Sequence, residues 1–213
     1  MKKMAVGKSG EVPLNWRLSP QVELSPILGA ALEAFHDRGY HATSVRDIAR
    51  RVGVTVPALY YHHENKEAIL YTLLDASIVR LHQLCVAANN EADDPKVRFC
   101  NLVECIVLYM TNCGKMAFLD AEIRSLSPKP RRKYTTKRDR IETLLRDSLE
   151  DGVKAGIFQV TSPVDTARAL LGMFQAIATW YHPDGPLTPQ EVAARYLDIA
   201  SHATGAAIRN RPR

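Results

Sequence analysis

The chain has 213 residues, 46% of them hydrophobic and 24% charged, with a net charge of +5 and a pI near 9.1. That length allows one domain or two small ones with a sizeable core, and the composition is that of an ordinary globular protein. No apolar run approaches the roughly 20 residues that span a bilayer, and the basic start MKKMAVGKSGEVPLNWR lacks the apolar stretch of a signal peptide, so no membrane partner and a cytoplasmic location are expected.

The basic excess is mild. Residues 1–66 hold nine Lys/Arg against six Asp/Glu, which favours an anionic partner without naming one. Cys85, Cys100, Cys105 and Cys113 form no CxxC pair and no metal-ligand spacing. They read as small core residues in a reducing compartment, with a thiol redox sensor as the alternative, and neither metal nor cofactor is expected.

In chain order, residues 1–19 read as a disordered basic arm. Helical periodicity then dominates, with helices expected near 26–38, 44–51, 56–63, 66–89, 95–112, 115–125, 131–155, 163–181 and 189–208. Gly39, Gly53, Asp93-Asp94-Pro95, Ser127-Pro128-Lys129-Pro130, Gly156 and the Pro183–Pro186 stretch punctuate them. Ser162-Pro163-Val164-Asp165 and Thr188-Pro189-Gln190-Glu191 place a hydroxyl at the N-cap, proline at the first helical position and an acid at the third. The fold class is all-α: a three-helix unit over 20–66, a larger body over 67–208, and a tail over 209–213.

The most informative stretch is Ser44–Lys66, SVRDIARRVGVTVPALYYHHENK. Ile27, Leu28, Ala31, Leu32 and Phe35 share one face of the first helix. Val45, Ile48, Ala49 and Val52 on the second, with Val54 and Leu59, would close a small core around the turn at Gly53. If the pair is a helix-turn-helix, the helix opening at Thr55 reads base edges. Thr55, Val56, Pro57 and Ala58 are short enough for a close approach to the groove floor, and their apolar atoms suit thymine methyl groups. Thr43, Ser44, Tyr60, His62 and Lys66 would reach phosphates, and Tyr61 would either join them or close the core. Without Arg or Asn on that helix, base discrimination should be weak and shape should matter more. The bland alternative is that these tyrosines and histidines are core and surface of an ordinary bundle.

The whole string from AALEAFHDRGYHATSVRDIARRVGVTVPALYYHHENKEAIL, residues 30–70, closely resembles the tetracycline-repressor (TetR) family of bacterial transcription regulators. Gly39-Tyr40, Thr43, Ile48-Ala49, Gly53-Val54, Leu59-Tyr60-Tyr61-His62 and Lys66-Glu67 carry the resemblance. His63 departs from it, since the family usually has an aromatic there, commonly phenylalanine. The resemblance implies a homodimer on a palindromic operator, a helical ligand-binding body, and release of DNA by a small hydrophobic effector. No enzyme motif competes with this, for there is no Gly-rich phosphate loop, HExxH or nucleophile elbow. A helical interaction module without sequence-specific DNA binding is the more distant alternative.

For the body, DGVKAGIFQ (151–159) and the stretch Thr179–Leu187 resemble regulators of fatty-acid, sterol and aromatic-acid breakdown, several of which respond to acyl-coenzyme A thioesters. A multidrug-type sensor is the nearer alternative. Ala167, Leu170, Leu171, Phe174, Ile177, Ala178 and Tyr181 form one apolar stripe, and Val192, Tyr196, Ile199, Ala200, Ala203 and Ala207 another, each either dimer seam or intrachain core. Pocket candidates are Leu102, Ile106, Tyr109, Met110, Met116, Phe118, Phe174 and Trp180. Lys129, Arg131, Arg132, Lys133, Lys137, Arg138 and Arg140 form a basic run, either a solvated helix start or, with Arg131 and Arg132 foremost, a landing site for coenzyme A phosphates.

Overall fold

The computed structural model describes residues 14–18 and 22–206, and every regular element among them is helical. Helices α1 (Pro26–Arg38), α2 (Val45–Val52) and α3 (Val56–His62) form a small N-terminal head. The body follows with α4 (Lys66–Asn89), α5 (Pro95–Asn112), α6 (Gly114–Phe118), a 3₁₀ segment (Leu119–Ser125), α7 (Pro128–Lys154), α8 (Pro163–Gln175), α9 (Ile177–Trp180) and α10 (Pro189–Ala203).

Proline opens α1, α5, α7, α8 and α10, where its missing N–H costs no hydrogen bond. Ser44 and Asp47 cap α2 reciprocally, as Thr188 and Glu191 cap α10. Gly53 ends α2 at φ 78°, a left-handed conformation that turns the chain into α3. Two expected helices are split. The 115–125 stretch becomes α6 and the 3₁₀ turn, and 163–181 breaks at Ala176 between α8 and α9.

Trp16 corrects the expectation of a disordered arm for part of its length. It is 4% exposed and its indole donates to Glu91 at 2.8 Å. Arg17 stacks on the Trp16 ring, pairs with Glu91 at 2.8 Å and reaches Asn101 on α5. The apolar indole gives this segment a burial that its basic neighbours conceal. The rest of the arm and the tail at 209–213 lie outside the described residues.

Helix α4 is the spine. Ile69, Leu70, Leu73, Leu74, Leu81 and Leu84 are buried on it, and it packs against α5 and α7. Each such side chain contributes about 1.5–3 kcal/mol when removed from water. By length and a mean hydropathy of 1.3, α4 alone would pass for a bilayer-spanning helix, which run length did not reveal. Its packing inside the body accounts for those apolar side chains. Ala167, Leu170, Phe174 and Ile177 are also buried within the chain, as are Val192 and Ala200, so most of the first expected seam stripe is intrachain core; in the second, Ile199 and Ala203 are exposed, Tyr196 is half-buried and Ala207 lies outside the described residues. The exposed side of the same helices carries Ala169, Gly172, Ala176, Trp180 and Ile199.

Gly152 lies in the DGVKAGIFQ stretch. A Cβ there would fall 2.0 Å from the Phe158 ring, which itself packs on Phe99. Only glycine lets the chain after α7 fold back this closely.

Candidate nucleic-acid interface and body cavity

In the head, Ala31, Leu32, Phe35, Ile48, Ala49 and Leu59 form the buried centre, and Tyr40 meets Phe35 edge-on at 5.2 Å. With Leu59 facing inward, α3 presents Thr55, Pro57, Ala58, Tyr60, Tyr61 and His62 to solvent, while Val56 is half-buried. Tyr61 is 88% exposed, which removes it from the core reading. Ser44 is exposed, and its hydroxyl is engaged with Asp47 in the cap of α2.

Two expected phosphate contacts are occupied elsewhere. Thr43 is 1% exposed and its hydroxyl donates to the carbonyls of Ala34 and Gly39, at 3.0 and 2.8 Å. The Lys66 ammonium donates to the carbonyls of Tyr40 and Thr43, both at 2.8 Å, and lies 4.3 Å over the Tyr40 ring. Burial pushes the Lys66 pKa down, and the Glu122 carboxylate opposes that. Thr43 and Lys66 thus fasten the α1–α2 turn to the start of α4.

Arg46 escaped the sequence reading. Arg50 pairs with Asp47 at 2.6 Å and Arg51 with Asp37 at 2.6 Å, whereas exposed Arg46, in the first turn of α2, has no ion pair among the described residues. The signal lay in RDIARR, where two of the three arginines find nearby carboxylates and one does not. His63 caps α3 through its N–H to the Leu59 carbonyl, and burial, then His62, lowers its pKa.

The body holds a partly open cavity of about 330 Å³ between α4, α5, α6, α7 and α8. Ile106, Tyr109, Met110 and Met116 line it as expected, with Ile78, Leu81, Ile141 and Leu171. Its polar groups are few. The Tyr109 and Ser77 hydroxyls are bonded at 2.8 Å, Tyr134 donates to Asp120 at 2.6 Å, and Gln175 donates to the other Asp120 oxygen. Arg138, Glu142 and Arg168 complete the lining; Arg138 and Arg168 are exposed, and Arg168 pairs with Glu142 at 3.1 Å.

The other pocket candidates lie elsewhere. Leu102 and Phe174 are fully buried core, Phe118 packs edge-on against His36 of α1, and Trp180 stacks on Tyr196 at the surface. Arg131 folds back to donate to the carbonyls of Leu126 and Arg124, and Arg132 lies on the face of α7 opposite the cavity. Sequence reading sought aromatics and methionines. It could not find Asp120, Tyr134 or Gln175, because the wall exists only once five helices and the 3₁₀ segment meet.

Head and cavity share a partition. Met116, Ala117 and Asp120 face the cavity. Their neighbours hold the head: Lys115 pairs with Glu33 at 2.6 Å, Phe118 touches His36, and Ser125 bonds His41 at 3.1 Å.

An exposed helix behind a tight glycine turn, carried on an all-helical body with a largely apolar cavity, defines a helix-turn-helix regulator. The chain belongs to the tetracycline-repressor family. Residues 27–72 match the model of the tetR family of bacterial regulatory proteins, and residues 92–204 match a tetracyclin repressor-like C-terminal domain. The HTH-type transcriptional repressor KstR2 of Mycobacterium tuberculosis is 29% identical over 179 residues, 81% of this chain and 88% of that protein. The crystal structure of PfmR, a TetR family transcriptional regulator of Thermus thermophilus, superposes with a TM-score of 0.78 at 34% identity, covering 87% of this chain and all of that one. AibR in complex with isovaleryl coenzyme A and operator DNA shares the fold, with a TM-score of 0.75 at 24% identity over 81% of this chain and 95% of that one.

Proposed function

We propose that the protein is a cytoplasmic, homodimeric repressor that leaves a palindromic operator when a small amphipathic effector enters the α4–α8 cavity. The observation that carries this reading is the shared partition. The segment from α6 to Ser125 faces the cavity on one side and grips α1 and the α1–α2 turn on the other. Filling the cavity moves the residues that orient the head. Two heads must sit about 34–36 Å apart to enter successive major grooves, so a tilt of a few ångströms ends simultaneous docking. The effector must therefore bind the tilted state more tightly than the DNA-bound one.

On the DNA side, Thr55, Val56, Pro57 and Ala58 approach base edges, with Ser44, Tyr60, Tyr61, His62 and Arg46 around them for phosphates and bases. Thr43 and Lys66 position this surface. The three-helix unit over 20–66 reads DNA, and the body over 67–208 senses the effector and dimerises. The small residues Ala169, Gly172 and Ala176, with Trp180 and Ile199, supply an exposed face of α8–α10 on which two copies can approach closely. The domain's kinship is with regulators rather than enzymes, and no catalytic role is proposed.

Chemistry at the cavity selects an apolar body with an anionic group emerging past Arg138 and Arg168. An acyl-coenzyme A thioester fits if its acyl end occupies the cavity, since coenzyme A as a whole exceeds that volume. The complex of AibR with isovaleryl coenzyme A supports this class. One observation favours a second reading, a cationic lipophile: the Asp120 carboxylate in the wall has no cationic partner among the described residues. Thiol sensing is disfavoured, because burial raises the pKa of Cys113 to about 11 and contact with the Cys105 thiol raises that of buried Cys85.

The test is selection of duplexes from a random library, with and without a set of acyl-coenzyme A thioesters. A palindrome recovered only in their absence is expected. A palindrome insensitive to them but released by lipophilic cations moves the effector to the second class, and no enriched motif overturns the regulator. Leu171→Trp, which puts an indole into the cavity, should act as a built-in effector: operator affinity should fall by about 5–150-fold without any thioester, and adding one should change it little.

A further inference from the structure

The basic run of α7 divides into three once it is folded. Arg131 is engaged with backbone carbonyls and Arg138 lines the cavity. Lys129, Arg132, Lys133, Lys137 and Arg140 line an open groove of about 760 Å³ with Tyr71, Pro128 and Thr136, on the outer face of α7. Asp75 meets this groove by pairing with Lys137 at 2.6 Å. The side chains of Lys129, Arg132, Lys133 and Arg140 have no ion pair or hydrogen bond among the described residues, and all four are exposed.

The fold does not account for this concentration. Lys129, Lys133 and Lys137 succeed one another at four-residue spacing, where like charges destabilise a helix. A merely solvated face would be served better by alternating signs. The groove also has no connection to the cavity, which lies on the opposite side of α7. It does adjoin the reading head. The Ser127 N–H at the start of α7 donates to Glu67 at 2.7 Å, next to Lys66, and Ser125 meets His41, three residues before Ser44.

We propose that the outer face of α7 holds sugar–phosphate backbone of the operator outside the half-site read by α3. The face is open, shallow and lined by mobile-headed cations without a buried polar group, which suits an extended polyanion better than a small anion enclosed on all sides. From Lys129 to Arg140 the helix rises about 17 Å, enough to follow several successive phosphates. The contact adds affinity and no sequence preference, because phosphates carry no base identity. It rests on the reading of the protein as an operator-binding regulator.

The experiment uses the full chain and an operator recovered by the selection above. One duplex is trimmed to the shortest length that binds, and another carries about ten base pairs of unrelated sequence on each side, one helical turn. Dissociation constants are measured across roughly 50–200 mM salt, where each phosphate contact contributes a slope of about 0.9. The flanked duplex should bind the native protein several-fold more tightly and with the steeper salt dependence. The variant Lys129→Gln/Arg132→Gln/Lys133→Gln should lose that gain and keep its affinity for the short duplex; Lys129→Arg/Lys133→Arg should retain it.

Equal binding of both duplexes by the native protein would overturn the proposal, as would an unchanged gain in the glutamine variant. A glutamine variant that keeps the gain but no longer responds to acyl-coenzyme A would overturn it in favour of an effector phosphate site. Failure of the regulator reading itself is distinct, for then the short duplex would not bind specifically at all.

Discussion

The head and the body use polar chemistry in opposite ways. In the head, the groups proposed to meet DNA are exposed on α3, and the interior polar contacts, Thr43 and the Lys66 ammonium, hold the α1–α2 turn in place. In the body, Tyr134 and Gln175 turn inward to donate to Asp120, and Tyr109 pairs with Ser77, around a largely apolar cavity. A groove in DNA must be met by protrusion, whereas a small apolar molecule must be enclosed. The head is consequently small and borrows stability from α4, and the body holds the long buried faces that can accommodate a void.

That dependence can be broken most severely at Leu59, fully buried in a head with few such residues. Leu59→Ala should cost about 2–5 kcal/mol of head stability. Hydrogen exchange should show α1–α3 opening while α5 and α8 stay protected; equal loosening of both regions would mean that they do not differ in this way.

A smaller effect is expected at the seam between them. Lys66→Met leaves the Tyr40 and Thr43 carbonyls without their ammonium partner, at a cost of about 1–3 kcal/mol. Operator affinity should fall while effector affinity measured by calorimetry stays unchanged. If both change alike, Lys66 supports the whole molecule rather than the head's orientation.

The smallest effect is the response to acid. His63 in the head and His82 in the body both have pKa values held below 6.5, each chiefly by burial. Between those lowered values and about 6.5 the unfolded chain binds more protons than the folded one, so stability is full above that window and declines as pH falls through it. Melting temperature should drop on going from pH 7.5 to about 5.5, and His63→Phe should remove the head's share of that drop. A variant with an unaltered pH profile would place the sensitivity in the body.

Local signals made the head legible. The Ser44–Asp47 cap, Gly53 and the Thr55 start lie within a dozen residues and are satisfied by their own neighbours, so the helices and the exposed face of α3 follow from adjacent chemistry. Arg46 was missed because its freedom depends on which carboxylates its neighbours claim. In the body, helix positions were legible for the same local reasons, but Leu102, Phe118, Phe174 and Trp180 proved to lie off the cavity. Apolar periodicity marks what is buried without saying whether protein or empty space lies beyond it.

Sequence by itself determined the all-α class, the helix-turn-helix and the exposed face of α3, since caps, turns and periodicity act over a few residues. Tertiary structure alone decided that Lys66 binds carbonyls, that Trp16 is buried against Glu91, that Gly152 admits the Phe158 ring, and that the basic run parts between cavity and outer groove. Each of these depends on residues far apart in the chain, brought together by the packing of long helices whose mutual rotation no single helix encodes.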